Sequence, residues 1–427
     1  MNTVTNLRIN GARLMQRLND LGQFGALEGG GTNRLALSDA DKAARDWTVQ
    51  QMRDLGMSVQ IDAIGNVIAT YAGGKDLLPV MTGSHIDTVR TGGLYDGNYG
   101  VMAGLEVVAT LRDAGIRPVR PIQIAFFTNE EGARFQPDMM GSLVMVGGMP
   151  LHEALATQAV DNGATVGAEL ARIGYAGSAP VGAPQVDSFV ELHIEQGPVL
   201  EQQGFTIGVV EGVQGICWME LSFEGISNHA GTTPMALRHD AGMCAMRTAA
   251  FVAELVQRYG GRQLGTVGAL ELKPNLINVI PNKAVMTVDL RNTDGEKLKS
   301  AQAEVLAFAR RVAHEAGAGF AHRQLADFAP VAFDAELVNS VERHAQTQNL
   351  TTLRMPSGAG HDAQMLARVC PTAMVFVPSA GGLSHNVREH TDALQLEQGA
   401  NVLLQVLLER ANRPEGTAVA HKEMAAA

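Results

Sequence analysis

Ile122-Gln123-Ile124-Ala125-Phe126-Phe127-Thr128-Asn129-Glu130-Glu131 is the stretch on which the reading of this 427-residue chain turns. Its first six residues are nearly continuous in apolar character, as a strand covered on both faces must be. The run ends on two adjacent carboxylates. At the end of a buried strand such a pair repels itself unless cations or a shared proton intervene. One glutamate can then bind metal while its neighbour handles protons.

Outward from this stretch the texture alternates. Residues 59–71 and 78–83 read as strands and residues 99–114 as a helix, which together predict an α/β layer architecture. Another strand is expected over residues 189–194. Residues 213–328 then run strand, helix, strand, strand, helix, strand, the split β-α-β order of ferredoxin-like domains. Beyond them the α/β texture returns, with a strand at 373–377 and a closing helix at 392–411. The expected organisation is a discontinuous domain, residues 1–212 and 329–427, carrying residues 213–328 as an insertion. The tail, residues 412–427, is expected to fray.

Length supports two cores rather than one. With 33 basic against 44 acidic residues the net charge is -11, which disfavours attraction to phosphate backbones or anionic lipid, so neither nucleic acid nor membrane is expected as a partner. The apolar stretch near residues 101–111 is interrupted by Glu106 and is no membrane span. Three cysteines without a CxxC pair indicate neither a disulfide framework nor a thiolate zinc cluster. Residues 1–21 lack the apolar core of a secretory signal. A cytoplasmic protein is expected. Neither GxGxxG after a strand nor GxxxxGK[ST] occurs, which leaves a nucleotide-dependent oxidoreductase without support.

The remaining chemistry-bearing residues also lie near the ends of apolar segments. His85 and Asp87 follow the run at residues 79–82, at the carboxyl end where open α/β sheets place ligands. Residues two apart on extended backbone share a side, so the Asp87 carboxylate can orient a metal-bound His85. Asp96 sits in Gly92-Gly93-Leu94-Tyr95-Asp96-Gly97-Asn98, where it can bridge two cations or form an Asx turn into the following helix, and the two roles are compatible. His193 and His385 stand in Glu191-Leu192-His193-Ile194-Glu195-Gln196-Gly197 and Gly381-Gly382-Leu383-Ser384-His385-Asn386; either alone is as well explained by a structural hydrogen bond. As a set these residues read as a two-metal hydrolase centre, in which ions sharing a carboxylate activate water and stabilise charge on an attacked carbonyl. Imidazole and carboxylate without thiolate suit zinc foremost, with manganese, cobalt or nickel as alternatives.

The chain resembles the metal-dependent amidohydrolases that include N-carbamoyl-L-amino acid hydrolase, β-ureidopropionase and allantoate amidohydrolase, within a wider group of dimetal peptidases and aminoacylases. The resemblance rests on Gly83-Ser84-His85-Ile86-Asp87-Thr88-Val89, Thr128-Asn129-Glu130-Glu131-Gly132-Ala133-Arg134-Phe135, residues 191–197, Asn228-His229-Ala230-Gly231-Thr232-Thr233-Pro234-Met235, residues 356–362 and residues 383–386, in order along nearly the whole chain. It implies a catalytic domain with a central mixed sheet between helices, and an inserted lid and dimerisation domain making a homodimer. Two divalent ions per subunit are implied, one held by His85, Asp96 and His193 and the other by Asp96, Glu131 and His385. Glu130 would be the general base and Asp87 the partner of His85. The peptidase branch carries an acidic residue where His193 stands, which favours the carbamoyl and ureido amidases.

Substrate contacts are implied at Gln196, His229, Asn278, Arg291 and Gly360, with His229 reaching the other subunit's site. Arg291 ends a strand, where its planar fork suits a substrate carboxylate. The expected reaction is hydrolysis of the terminal ureido bond of an N-carbamoyl-L-amino acid, with allantoate or β-ureidopropionate as alternative substrates on the same scaffold. Glu130 would move the proton, and His229 would donate to the oxyanion. A non-catalytic protein that binds a ureido ligand is the competing class, and such a binder has no need of a base like Glu130.

Overall fold

The computed structural model describes residues 7–413; the tail expected to fray lies outside them from residue 414 on. The chain forms two compact units. One runs up to Gly212 and resumes at Ala332, and the other is Val213–Val331. Strands among the described residues are β1 (Ser58–Ile61), β2 (Val67–Tyr71), β3 (Val80–His85), β4 (Ile122–Phe127), β5 (Ser188–Ile194), β6 (Ile207–Val213), β7 (Gly215–Glu224), β8 (Leu264–Lys273), β9 (Lys283–Asn292), β10 (Gly319–Phe328), β11 (Val331–Ala332), β12 (Thr352–Ser357) and β13 (Thr372–Val377).

The larger unit is the expected mixed sheet with helices. Its order is β1-β2-β4-β3-β5-β13-β6-β11, with β12 beside β6. The four neighbours β4, β3, β5 and β13 run parallel. β1, β2 and β6 join antiparallel. Every residue of β3, β5 and β13 is buried, and in β4 only Gln123 escapes, which is why these segments read as unbroken apolar runs. Helices Asn98–Asp113 and Ala393–Ala411 pack against β3 and β5. Glu106, the charge that interrupts the apolar stretch, is fully buried in the first of these helices. A bare carboxylate there would cost several kcal/mol, of the order set by desolvation. Arg13 and Arg17 of helix Gly11–Leu21 offset it at 2.7 and 2.6 Å.

Residues 59–71 form two antiparallel strands rather than one. Asp62 accepts hydrogen bonds from the backbone of Ile64 and Asn66 and from the Asn66 side chain, and Gly65 adopts φ +84°, so the chain reverses between β1 and β2. Asp62, Gly65 and Asn66 are turn formers set between two β-rich runs, and the turn they cap divides the segment.

The inserted unit has strand order β10-β7-β9-β8, antiparallel throughout. With helices Ala241–Tyr259 and Gly295–Glu315 it follows the β-α-β-β-α-β order. β9 alternates strictly, burying Ala284, Met286, Val288 and Leu290. Those side chains share one core with Met219 and Leu221 of β7, Leu255 and Val305, and Phe251 stacks on Phe308 at 4.1 Å between the helices. Among the described residues no helix is long and apolar enough to cross a membrane.

Candidate metal centre

His85, Glu130, Glu131, His193 and His385 all lie at or just beyond the carboxyl ends of β3, β4, β5 and β13, the neighbouring parallel strands. Parallel strands end together on one edge, so residues separated by some 300 positions gather there. Asp96 arrives from the loop before helix Asn98–Asp113, and Gly97 at φ +66° shapes the approach: a Cβ on it would stand 2.3 Å from the His85 ring.

The two oxygens of Asp96 face different partners. Oδ1 lies 3.2 Å from His193 Nε2 and 3.6 Å from His85 Nε2. Oδ2 lies 3.3 Å from His385 Nε2, which is itself 3.2 Å from Glu131 Oε2. Two candidate cation positions result, His85–Asp96–His193 and Asp96–Glu131–His385, each with ligand atoms within 4.8 Å of one another. Glu130 Oε2 stands 3.3 Å from His85 Nε2. A cavity of about 120 Å³ opens among these side chains, with Gln196, Gly360, His361 and Asp138 also lining it.

The histidines are oriented through their other nitrogens. His193 Nδ1 lies 2.8 Å from the Ile194 carbonyl and His85 Nδ1 2.9 Å from the Asp87 carbonyl. A proton on Nδ1 leaves the Nε2 lone pair for a cation. For Asp87 the contact differs from the sequence reading: its backbone carbonyl, not its carboxylate, meets His85. The carboxylate instead accepts the N–H groups of Glu130 and Glu131 at 3.2 and 3.3 Å and so holds the acidic pair in place. β3 stops at His85, so the two-residue alternation no longer governs Asp87.

Charge in the centre is unbalanced. Burial would raise the Asp96 carboxyl, but hydrogen bonds from His193, His385 and His85 hold it well below the usual range. Hydrogen bonds to Asp96 and Glu131 push His385 up to about 10. Burial drives Glu130 well above its ordinary value; His85 opposes this while Asp362, Glu131 and Asp96 add to it. Carboxylates that recruit protons onto imidazoles in this way are a donor set lacking positive charge, and divalent ions fit it by displacing those protons.

Of the other residues singled out in the sequence, Gln196 donates to Asp96 Oδ2 at 2.9 Å and Gly360 lines the cavity. His229, Asn278 and Arg291 belong to the inserted unit. There Ala230 N–H donates to the Asn278 carbonyl, and Arg291 Nη2 pairs with Asp289 at 3.0 Å.

Sequence reasoning passed over several buried groups. His361 sits edge-on to His193 with ring centroids 4.6 Å apart, and burial keeps it well below its usual value, hence neutral. Glu191 accepts from Ser84 Oγ and Ala363 N, Asp362 accepts from Ser142 Oγ, and Glu389 accepts two backbone N–H groups of the Asp96 loop. His361 and Asp362 close the motif at residues 356–362, and Glu191 opens the one at 191–197; Glu389 carried no signal.

Comparison with known proteins is consistent with this geometry. The model of peptidase family M20/M25/M40 matches residues 81–409. An N-carbamoyl-L-amino-acid amidohydrolase of Rhizobium meliloti is 40% identical, over 95% of this chain and 98% of its own. An allantoate amidohydrolase of Escherichia coli is 34% identical, over 92% and 96%. A crystal structure of a hydantoinase/carbamoylase-family amidase from Burkholderia multivorans superposes with a TM-score of 0.93 at 43% identity, covering 96% of this chain and 99% of that one.

Proposed function

Since the chain belongs to the peptidase family M20/M25/M40, we propose that it hydrolyses the terminal ureido carbon–nitrogen bond of an N-carbamoyl-L-amino acid, giving the L-amino acid, ammonia and carbon dioxide. It is a hydrolase of carbon–nitrogen bonds other than peptide bonds. The observation that carries the reading is the division of Asp96, with one oxygen toward His85 and His193 and the other toward His385.

His85, Asp96 and His193 would hold one ion, and Asp96, Glu131 and His385 the other, with zinc our first choice over manganese, cobalt or nickel. Ions bound there would supply a nucleophile at neutral pH and counter-charge for an attacked carbonyl. Glu130, raised by burial, accepts the proton of the attacking water and returns it to the departing nitrogen. Asp87 keeps Glu130 and Glu131 in position through their N–H groups. Gln196 and Gly360 contact the substrate within the cavity.

His229 Nδ1 accepts from Gly231 N at 3.0 Å and Thr232 N at 3.2 Å, so its ring proton sits on Nε2, the tautomer that donates to an oxyanion. Arg291 clamps the substrate carboxylate; Asp289 already shows that this guanidinium takes a carboxylate through two nitrogens. Asn278 is not its neighbour: it lies with His229 past the opposite end of β9, so its substrate contact goes with that of His229. Ile226, Met235, Leu237, Leu276 and Ile277 are exposed apolar residues near His229 in sequence or paired with its loop. Apolar exposure of that kind supports a homodimer through the inserted unit, with His229 serving the partner's centre. Three free thiols support a cytoplasmic location.

Allantoate is the second reading, favoured by the Escherichia coli relative and by its own ureido and carboxylate groups. Ammonia release from N-carbamoyl amino acids, allantoate and β-ureidopropionate, after cation removal and readdition, separates them. No ammonia from any N-carbamoyl amino acid with cations restored would sink the proposal.

A further inference from the structure

Glu389 is buried, 6% exposed, four residues after His385, and faces the loop that carries Asp96. Its Oε1 accepts the N–H groups of Tyr95 at 3.0 Å and Asp96 at 3.1 Å. Ser384 Oγ lies 3.3 Å from Glu389 Oε2 and 3.1 Å from Asp96 Oδ2. The loop is fitted closely around this side chain, since a Cβ on Gly93 would stand 2.1 Å from Glu389 Oε1, while one on Gly97 would meet the His85 ring. Glu389 N–H in turn donates to the Asn386 carbonyl, fixing the carboxylate to the turn that follows His385.

We propose that Glu389 is a positioning residue for the shared carboxylate. By accepting the Tyr95 and Asp96 N–H groups it locks the segment that presents Asp96 to the segment that presents His385. Those segments are 293 residues apart in sequence and come from different strand ends. Asp96 Oδ2 and His385 Nε2 therefore meet at a separation that Glu389 sets, and the cation position they share with Glu131 depends on it. Two backbone N–H groups donating to one buried oxygen fix the loop, because withdrawing that acceptor would leave both donors buried and unpaired. The assignment rests on reading Asp96, Glu131 and His385 as ligands of one ion.

The test is Mn2+ stoichiometry and affinity of the full chain by calorimetric titration without substrate, alongside melting temperature and the kcat and KM of ureido hydrolysis. Glu389→Gln keeps an oxygen acceptor in place and is expected to bind two ions within about threefold of the parent affinities. Glu389→Asp keeps the charge but withdraws the acceptor by one methylene. It is expected to weaken one ion by about ten- to a hundredfold, the scale for groups that orient ligands, and to lower kcat rather than raise KM. Unchanged binding of both ions in Glu389→Asp overturns the proposal, and so does a loss in Glu389→Gln equal to that in Glu389→Asp, because an oxygen acceptor kept in place would then have protected nothing. Hydrogen exchange on the cation-free parent needs no variant: slow exchange is expected at the Tyr95 and Asp96 amides, and exchange as fast as in an open loop overturns the assignment. Two bound ions with no ammonia from any ureido substrate would remove the proposed function and leave the role of Glu389 standing.

Discussion

β9 of the inserted unit and β3 of the larger unit are built on opposite terms. β9 buries every second residue and leaves the others half exposed or exposed, whereas β3 buries all six. Around β9 the chain satisfies its local preferences: apolar side chains point inward and the helices stack through Phe251 and Phe308. Around the end of β3 it sets them aside. His85, Asp96, Glu130 and His193 are all less than a tenth exposed, and Asn129, Gln196 and His385 hold positive φ values of 56°, 58° and 53°. Each left-handed residue that is not glycine costs about 1 kcal/mol or more, and each buried charge needs a partner. A region that concentrates such costs where four parallel strands end is organised around binding rather than around its own stability.

Removing divalent ions is the severest trial of that contrast. Dialysis against a chelator should take ureido hydrolysis to background and readdition should restore it, while activity that survives chelation would erase the distinction. Glu130→Gln should retain both ions by metal analysis yet lower kcat by about 10²- to 10⁴-fold, the range for a positioned proton-transfer group. Near-parental turnover would move the base elsewhere. Met286→Ala, fully buried in β9, should cost about 2 to 5 kcal/mol of stability in urea titration, with metal content unchanged. Altered metal content would mean that the inserted unit is not the separate, locally satisfied region described. Arg291→Ala should raise KM about tenfold or more for substrates bearing a carboxylate, with kcat little changed, from the loss of charged hydrogen bonds. An unchanged KM would count against the clamp.

The smallest effect lies away from both regions. His344 first, then Arg343, hold the Glu409 carboxyl down to about 2 from its ordinary 4.5. A depressed carboxyl stabilises the fold above its unfolded value, and that contribution fades as pH falls through 4.5 toward 2. His344→Ala should therefore reduce stability at pH 7 by up to about 1 kcal/mol and flatten the loss on acidification. An unaltered acid profile would show that this pair matters less than the geometry implies.

Several features were legible before any coordinates because they depend on short-range pattern. The unbroken apolarity of residues 122–127 announces a strand with both faces covered, and the order of elements over residues 213–328 announces its topology. The reversal at Asp62 was missed although Asp62, Gly65 and Asn66 are turn formers, because β-rich residues flank them on both sides. For Asp87, spacing placed the residue near His85, but the end of β3 turned the carboxylate toward Glu130 and Glu131. Glu389 left no trace, since an acidic residue in a loop looks like any solvated charge until the Tyr95 and Asp96 amides are seen against it.

By itself the sequence determined the buried central strands and which of them carry imidazole or carboxylate at their ends, because side-chain period and burial are properties of neighbouring residues. Only the tertiary structure decided that Asp96 divides its oxygens between His193 and His385. Which groups share an oxygen is a matter of ångströms across the edge of a sheet, set by strand order and by hydrogen bonds between segments hundreds of residues apart.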